Sequence, residues 1–316
     1  MALSRLPAPL FATVAIVGVG LIGSSIALAC ARTGAAGRVV LHDRDAGVLA
    51  RAEALGLGQV YSGSLAEAVR GADLVILCAP VGANAEIAQA IAPALKAGAI
   101  VSDVGSVKTA VVAEVGPRLP EAVHFVPAHP VAGTEYSGPD AGFATLFGNR
   151  WCILTPPPGT APEAVERVRA FWAAFGANVE IMTPEHHDLV LAITSHVPHV
   201  VAYTLVGAAA DLEDSLRSEV IKFSAGGFRD STRLAASDPT MWRDVFLNNR
   251  EAVMEMLGRF TEELTALQRM IRRGDGDGLF DLFTRTRAIR RAIVEQGQET
   301  AAPDFGRRAQ DAAGGP

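Results

Sequence analysis

Chemistry in this sequence would need three kinds of residue: glycines that admit a phosphate, a histidine that moves a proton, and arginines that grip carboxylates. Val14-Ala15-Ile16-Val17 leads into Gly18-Val19-Gly20-Leu21-Ile22-Gly23. After a helix-length run, a second apolar stretch, Arg38 to His42, ends in Asp43, 20 residues beyond Gly23. That order is the fingerprint of a dinucleotide-binding strand–helix–strand unit. Gly18 would allow the tight turn, Gly20 would let a pyrophosphate approach the backbone, and Gly23 would let the helix pack close to the sheet. Leu21 and Ile22 open the helix, whose free N–H groups and positive dipole favour phosphate. Asp43 would accept the ribose hydroxyls and repel a 2′-phosphate, so NAD is expected rather than NADP. Arg44 beside it is the residue type that accepts such a phosphate. A glycine-rich turn in some other α/β protein would leave Asp43 without a role.

Three polar clusters follow. Asp103-Val104-Gly105-Ser106-Val107-Lys108 comes after one apolar run, and His129-Pro130-Val131-Ala132-Gly133-Thr134-Glu135 after the next. The third joins His187, Ser195-His196-Val197-Pro198-His199, Gly226 to Arg233 and Met241-Trp242-Arg243-Asp244. His129, expected on a loop at a strand's carboxyl end, suits a general base near neutral pH. A bland alternative is a loop-capping histidine. Ser106 could orient His129 or the nicotinamide, or simply cap a helix. Arg229 and Arg233 offer forks for carboxylates, although a lone Arg is more often solvated. Trp242 reads as core or pocket wall. His196 and His199 share a helix face at a spacing that can hold a metal, but no third ligand fits, so no metal site is expected.

Positioning these groups requires an α/β domain. The fold expected is an N-terminal Rossmann-type, doubly wound, mostly parallel sheet followed by an all-helical C-terminal domain. Ala72 to Pro80 is apolar after Asp73, as in a parallel strand covered on both faces. Its end, Ala79-Pro80-Val81, would pass beside the cofactor, since ligands sit outside the carboxyl ends of such strands. Ala99 to Val104 and His124 to Pro127 read as further strands. So do Trp151 to Thr155 and Val179 to Ile181, flanking a helix from Pro162. Beyond Thr183 only helical stretches remain: Pro184–Ala210, Ser215–Ala225, Pro239–Arg273 and Leu279–Gln296. The expected division is residues 1–182 for the dinucleotide domain, 183–298 for a helical substrate and dimerisation domain, and 299–316 as a disordered tail.

Composition narrows the function class. With 316 residues, 49% hydrophobic and 20% charged, the chain can fill two packed domains. A net charge of −6 and no basic stripe argue against nucleic acid. Three scattered cysteines suit free thiols in a reducing, cytoplasmic setting. Met1 to Ala12 reads as a loose leader rather than a signal peptide. Leu189 to Ala210 lacks Asp, Glu, Lys and Arg. Its histidines, threonines and proline speak for a buried core helix rather than a membrane span.

At these motifs the sequence resembles the prephenate/arogenate (cyclohexadienyl) dehydrogenase family of tyrosine biosynthesis. The resemblance rests on Gly18 to Ser25, Asp103 to Lys108, His129 to Glu135, Ser195 to His199 and Gly227 to Arg233, in that order, and runs from Val14 to about Gln296. It implies NAD-dependent oxidative decarboxylation of prephenate to 4-hydroxyphenylpyruvate, with arogenate as a related substrate. Hydride leaves ring C4 and the C1 carboxylate departs as CO2. Aromatisation drives the reaction, so the enzyme mainly supplies positioning and charge. His129 would accept the 4-hydroxyl proton, and Ser106 would orient it and the nicotinamide. Arg233 would bind a substrate carboxylate with His199 and His196 nearby, while Glu135 and Asp230 would hold the polar network. The helical domain would form a homodimer. Two alternatives stand beside this: a two-domain dehydrogenase of another small hydroxy acid or imine, and a catalytically silent NAD-binding sensor or scaffold.

Overall fold

The computed structural model describes residues 5–134, 136–211 and 226–295, with positions 219 and 222 between them. Glu135, the stretch 299–316 and most of the helix expected at Ser215–Ala225 lie outside the described residues. The chain divides into two compact units, residues 1–256 and 257–316.

In the first unit, six parallel strands form one sheet: β1 (Phe11–Val17), β2 (Ala36–His42), β3 (Val60–Tyr61), β4 (Leu74–Leu77), β5 (Ile100–Asp103) and β6 (His124–Phe125). Their order is β3-β2-β1-β4-β5-β6. The order reverses at β1 and β4, and the crevice at that switch point is where such sheets bind ligands. Strand β4 is buried at all four residues and β1 at its last four, because helices cover both faces. The connecting helices are α1 (Leu21–Thr33), α2 (Ala46–Ala54), α3 (Leu65–Val69), α4 (Asn84–Ile91) and α5 (Thr109–Val115). Asp45 and Ser64 cap α2 and α3 through their side chains.

The strand expected at His124–Pro127 does not continue into a loop. Pro127 has no N–H to donate, and after it the chain leaves the main sheet. Residues Ala128–Pro130 form β7, which pairs antiparallel with β8 (Trp151–Leu154); β8 pairs parallel with β9 (Asn178–Ile181). The last strands therefore make a separate three-stranded sheet. His129 lies on β7 opposite Ile153, so its expected place on a loop is corrected to a strand. Helix α6 (Pro162–Ala174) joins β8 to β9 and buries Phe171 and Trp172 in the main core.

Helix α7 (Pro184–Leu191) passes through a π-helical turn at Ala192–His196 into α8 (Val197–Ala210). Such turns are common at functional sites. The 27-residue run Pro184–Ala210 is long and apolar enough to cross a membrane; within it, Leu189–Ala210 is the stretch expected to be a buried core helix. The first half of the run buries one face, through His187, Asp188, Leu191, Ala192 and His196. Across its most apolar window 33% is buried, and residues 204–208 are exposed in the single chain. Next come α9 (Gly226–Thr232) and α10 (Pro239–Asn248), then α11 (Arg250–Arg273) and α12 (Gly276–Glu295). The single helix expected over Pro239–Arg273 is interrupted at Asn249, a buried residue whose side chain bonds elsewhere. The second unit exposes Leu264, Ile271, Phe280, Phe283, Ile289 and Ile293.

Candidate active site

The glycine turn after β1 has the geometry its sequence promises. Gly18 has φ +98°, and a Cβ there would lie 2.8 Å from the backbone carbonyl of Cys78, at the end of β4. A Cβ on Gly23 would strike the Gly18 carbonyl, whereas one on Gly20 would meet nothing within 4 Å. Gly20 thus faces open space at the start of α1, whose first turn has no side-chain cap and no acidic residue. The N–H groups of Val19 and Asp45 donate to the two carboxylate oxygens of Asp43 at 2.8 and 2.9 Å. These bonds fix the carboxylate at the tip of β2 and leave lone pairs for hydroxyl donors. Half-buried Leu21, Ile22 and Ala79 and exposed Pro80 complete the rim of the crevice. The open cradle, uncapped helix start and fixed acid fit a dinucleotide with free ribose hydroxyls.

A second set of residues converges on His129. Its Nδ1 lies 2.8 Å from Nε2 of His187 on α7, and His187 Nδ1 lies 2.8 Å from Oδ1 of Asp188. Both imidazoles are buried. Asp188 also accepts the backbone N–H groups of Lys108 and Thr109, each at 2.8 Å, and so caps α5. The plain alternative for Ser106, a helix cap, is not what the structure shows: the helix begins at Thr109 and the capping carboxylate comes from α7. Asn249 Nδ2 bonds the Asp188 carbonyl at 2.9 Å and reaches Nδ1 of His196 at 3.1 Å.

Lys108 ties the two sheets together. Fully buried, it donates to Asp103 Oδ2 at 2.5 Å on β5 and to the Ala128 carbonyl at 2.8 Å, immediately before His129. Burial pushes the Asp103 carboxyl up from its ordinary value, and Lys108 pulls it back.

The four histidines of this cluster, His129, His187, His196 and His199, are held below the ordinary imidazole value. Burial is the main cause for His129, and the charges of His187, Lys108 and His196 add to it. Burial lowers His187 against the pull of Asp188, and pushes His196 down to about 4. It also lowers His199, with Arg233 adding to the effect. Burial would raise Asp188, but hydrogen bonds from His187, Thr109 and Lys108 hold it below the usual carboxylate range. The cluster at neutral pH is therefore one carboxylate and four neutral imidazoles.

The other expected residues fall around this centre. His199 donates from Nδ1 to the Ser195 carbonyl at 2.8 Å and stacks on Trp242, with ring centroids 3.4 Å apart. Trp242 is thus a wall against His199, as the sequence suggested. Arg233 is exposed, with its charge felt at His199. Asp230 is exposed and pairs with Arg229 at 3.3 Å, so the structure does not place it in the buried network. Ser106 is half-buried between β5 and α5. Its backbone hydrogen-bonds His196, while His187 occupies the Nδ1 side of His129. Among the described residues no group of His, Cys, Asp and Glu could hold a metal ion. Sequence reasoning named His187 without giving it a role and missed Asp188 and Asn249. The adjacency of His187 and Asp188 was the available signal.

Two family models match the chain: prephenate dehydrogenase, nucleotide-binding domain, over residues 26–181, and prephenate dehydrogenase, dimerization domain, over residues 183–285. The chain belongs to the prephenate dehydrogenase family. It is 44% identical to a cyclohexadienyl dehydrogenase of Zymomonas mobilis over 90% of this chain and 96% of that protein. It is 34% identical to a prephenate dehydrogenase of Bacillus subtilis over 93% of this chain and 79% of that one. Among solved structures, prephenate dehydrogenase from A. aeolicus in complex with hydroxyphenyl propionate and NAD+ superposes with a TM-score of 0.84 at 35% identity. That match covers 89% of this chain and 98% of the other. The family's two regions meet at residues 181–183, on either side of Met182, while the compact units divide at Met256.

Proposed function

We propose that this chain catalyses NAD-dependent oxidative decarboxylation of prephenate to 4-hydroxyphenylpyruvate in tyrosine biosynthesis, with His129 as the general base. The observation that carries the assignment of the base is the buried line His129–His187–Asp188, in which the first imidazole is neutral and held by the second. Bound NAD supplies the acceptor for hydride from ring C4. Gly18, Gly20, Leu21, Ile22 and Gly23 would hold its pyrophosphate, Asp43 its ribose, and Ala79, Pro80 and Ser106 would line the nicotinamide end. Asp43 favours NAD over NADP because a carboxylate repels a 2′-phosphate.

The reaction's balance defines what His129 does. Prephenate dianion loses one hydride and one CO2 to leave the 4-hydroxyphenylpyruvate anion, so no proton is released overall. The proton that His129 takes from the 4-hydroxyl must return to the product's oxygen. A neutral imidazole buried beside a fixed carboxylate suits such a loan, because its weak basicity makes the return easy. Arg233 draws a substrate carboxylate toward His199 and His196. Arogenate differs by an ammonium where prephenate has a keto group, so the same residues suit it as a second substrate.

The exposed apolar residues of the second unit and of α8, together with the match to a dimerization domain, support a homodimer in the cytoplasm. The test is NADH formation at 340 nm with prephenate or arogenate and NAD+ or NADP+ in all four pairings. Turnover with prephenate and NAD+ is expected. Silence in every pairing, with NAD still bound, would favour the hydroxy-acid dehydrogenase or the silent scaffold.

A further inference from the structure

We propose that His187 and Asp188 are positioning residues that fix which nitrogen of the His129 ring carries its proton. The proposal rests on reading His129 as the base.

The argument is one of donors and acceptors. The Asp188 carboxylate accepts three N–H bonds, from Lys108, Thr109 and His187. An ionised carboxylate can only accept, so His187 Nδ1 must carry hydrogen. His187 is neutral, which leaves its Nε2 as a bare lone pair. That lone pair faces His129 Nδ1 at 2.8 Å, so His129 Nδ1 must donate. Neutral His129 then has its own lone pair on Nε2, the nitrogen not engaged with His187. A base is useful only if the nitrogen facing the reacting hydroxyl is bare. Without the relay the imidazole would divide between its two neutral tautomers, and one of them cannot accept a proton at Nε2.

The same carboxylate-bearing residue sets a second histidine the opposite way. Asn249 Nδ2 donates to the Asp188 carbonyl, and with its other hydrogen to His196 Nδ1. His196 Nδ1 is therefore an acceptor, and its proton sits on Nε2. A hydrogen bond with the Ser106 backbone acts on the same ring. The network thus leaves a bare nitrogen on His129 and puts the proton of His196 on Nε2.

Asp188 also caps α5, and the two imidazoles pack edge to face at 5.0 Å. A purely structural role for the pair would accept either tautomer of His129, so the test reads the tautomer itself. The intact enzyme is labelled with [15N]histidine, and its ring nitrogens are assigned by the signals lost in His129→Asn. The expected result at neutral pH is a protonated Nδ1 and bare Nε2 for His129, with the reverse for His196. A protonated Nε2 on His129 overturns the proposal. In parallel, His187→Leu should lower kcat on the order of 10²-fold or more, while KM and the Kd for NAD stay near wild type. His187→Gln should restore much of that loss, because its amide oxygen can accept the same N–H. Wild-type kcat in His187→Leu would also overturn it. If His129→Asn is inactive while His187→Leu is unimpaired, only the positioning role falls. If His129→Asn turns over normally, the assignment of the base falls with it.

Discussion

Replacing Lys108 with Met should destabilise the protein in a way that depends on pH, and the slope can be worked out in advance. Lys108 and Asp103 are both fully buried, and the lysine is 2.5 Å from Asp103 Oδ2. Met fills a similar volume but leaves the carboxyl without a counter-charge. Breaking a buried pair from one side costs about 3–5 kcal/mol, because a charge stays behind unpaired. Asp103 has one escape, which is to take a proton. At pH 7, protonating a carboxyl whose unfolded pKa is about 3.9 costs roughly 1.36 × 3.1, or about 4 kcal/mol. The penalty is thus capped near 4 kcal/mol at pH 7, and the cap falls by about 1.4 kcal/mol for each unit of lower pH.

The direction follows from linkage. In the variant the folded pKa of Asp103 lies above its unfolded value. The stability tied to that proton is complete below the unfolded pKa and is lost as pH rises toward the folded one. The gap between variant and wild type should therefore narrow by up to about 2.7 kcal/mol between pH 7.5 and 5.5. Urea unfolding at both pH values, with protein concentration held fixed, measures it. Adding Asp103→Asn to Lys108→Met should remove the pH dependence of the gap. A loss equal at the two pH values, or one below about 1 kcal/mol, would refute the reasoning. Because Lys108 also holds the Ala128 carbonyl beside His129, kcat should fall together with stability.

Other expectations can be checked separately. Burial holds the pKa of His129 well below 6.5, so with His129 as the proposed base kcat/KM should be level near pH 7 and decline only on acidification below 6.5; a decline already at pH 7 would contradict a buried, neutral base. Arg233→Ala should raise KM for prephenate about 10- to 100-fold, the worth of a charge-assisted bond of roughly 1.5–3 kcal/mol, with little change in melting temperature because the residue is exposed; an unchanged KM would remove it from substrate binding. Gly18→Ala places a Cβ 2.8 Å from the Cys78 carbonyl at a backbone angle of +98°, so the Kd for NADH, followed by its fluorescence, should rise at least tenfold, the equivalent of about 1.4 kcal/mol.

What could be seen in the sequence was what depends on near neighbours along the chain. The glycine turn is local sterics: Gly18, Gly20 and Gly23 lie within six residues, and each role can be argued from the missing Cβ. The parallel strands announced themselves as short apolar runs because both faces are covered, and Asp43 could be placed by counting. His129 stood out as a histidine after a strand, although Pro127 moved it onto a second sheet. The buried line of His129, His187 and Asp188 could not be seen in this way. His187 lies 58 residues further on and Asp188 contacts α5 across 80 residues, so no periodicity joins them. Ser106, nearer along the chain, drew the orienting role, whereas the group that meets His129 at Nδ1 is His187. The apolar second half of α8 misled for a related reason. Burial was expected from composition alone, yet residues 204–208 are exposed in one chain. In a homodimer those residues would be covered by the partner's surface, so the sequence would encode their burial only at the level of the assembly. A sequence reading finds the groups that act through their own backbone, and a tautomer is set by whatever the fold brings to the other side of the ring.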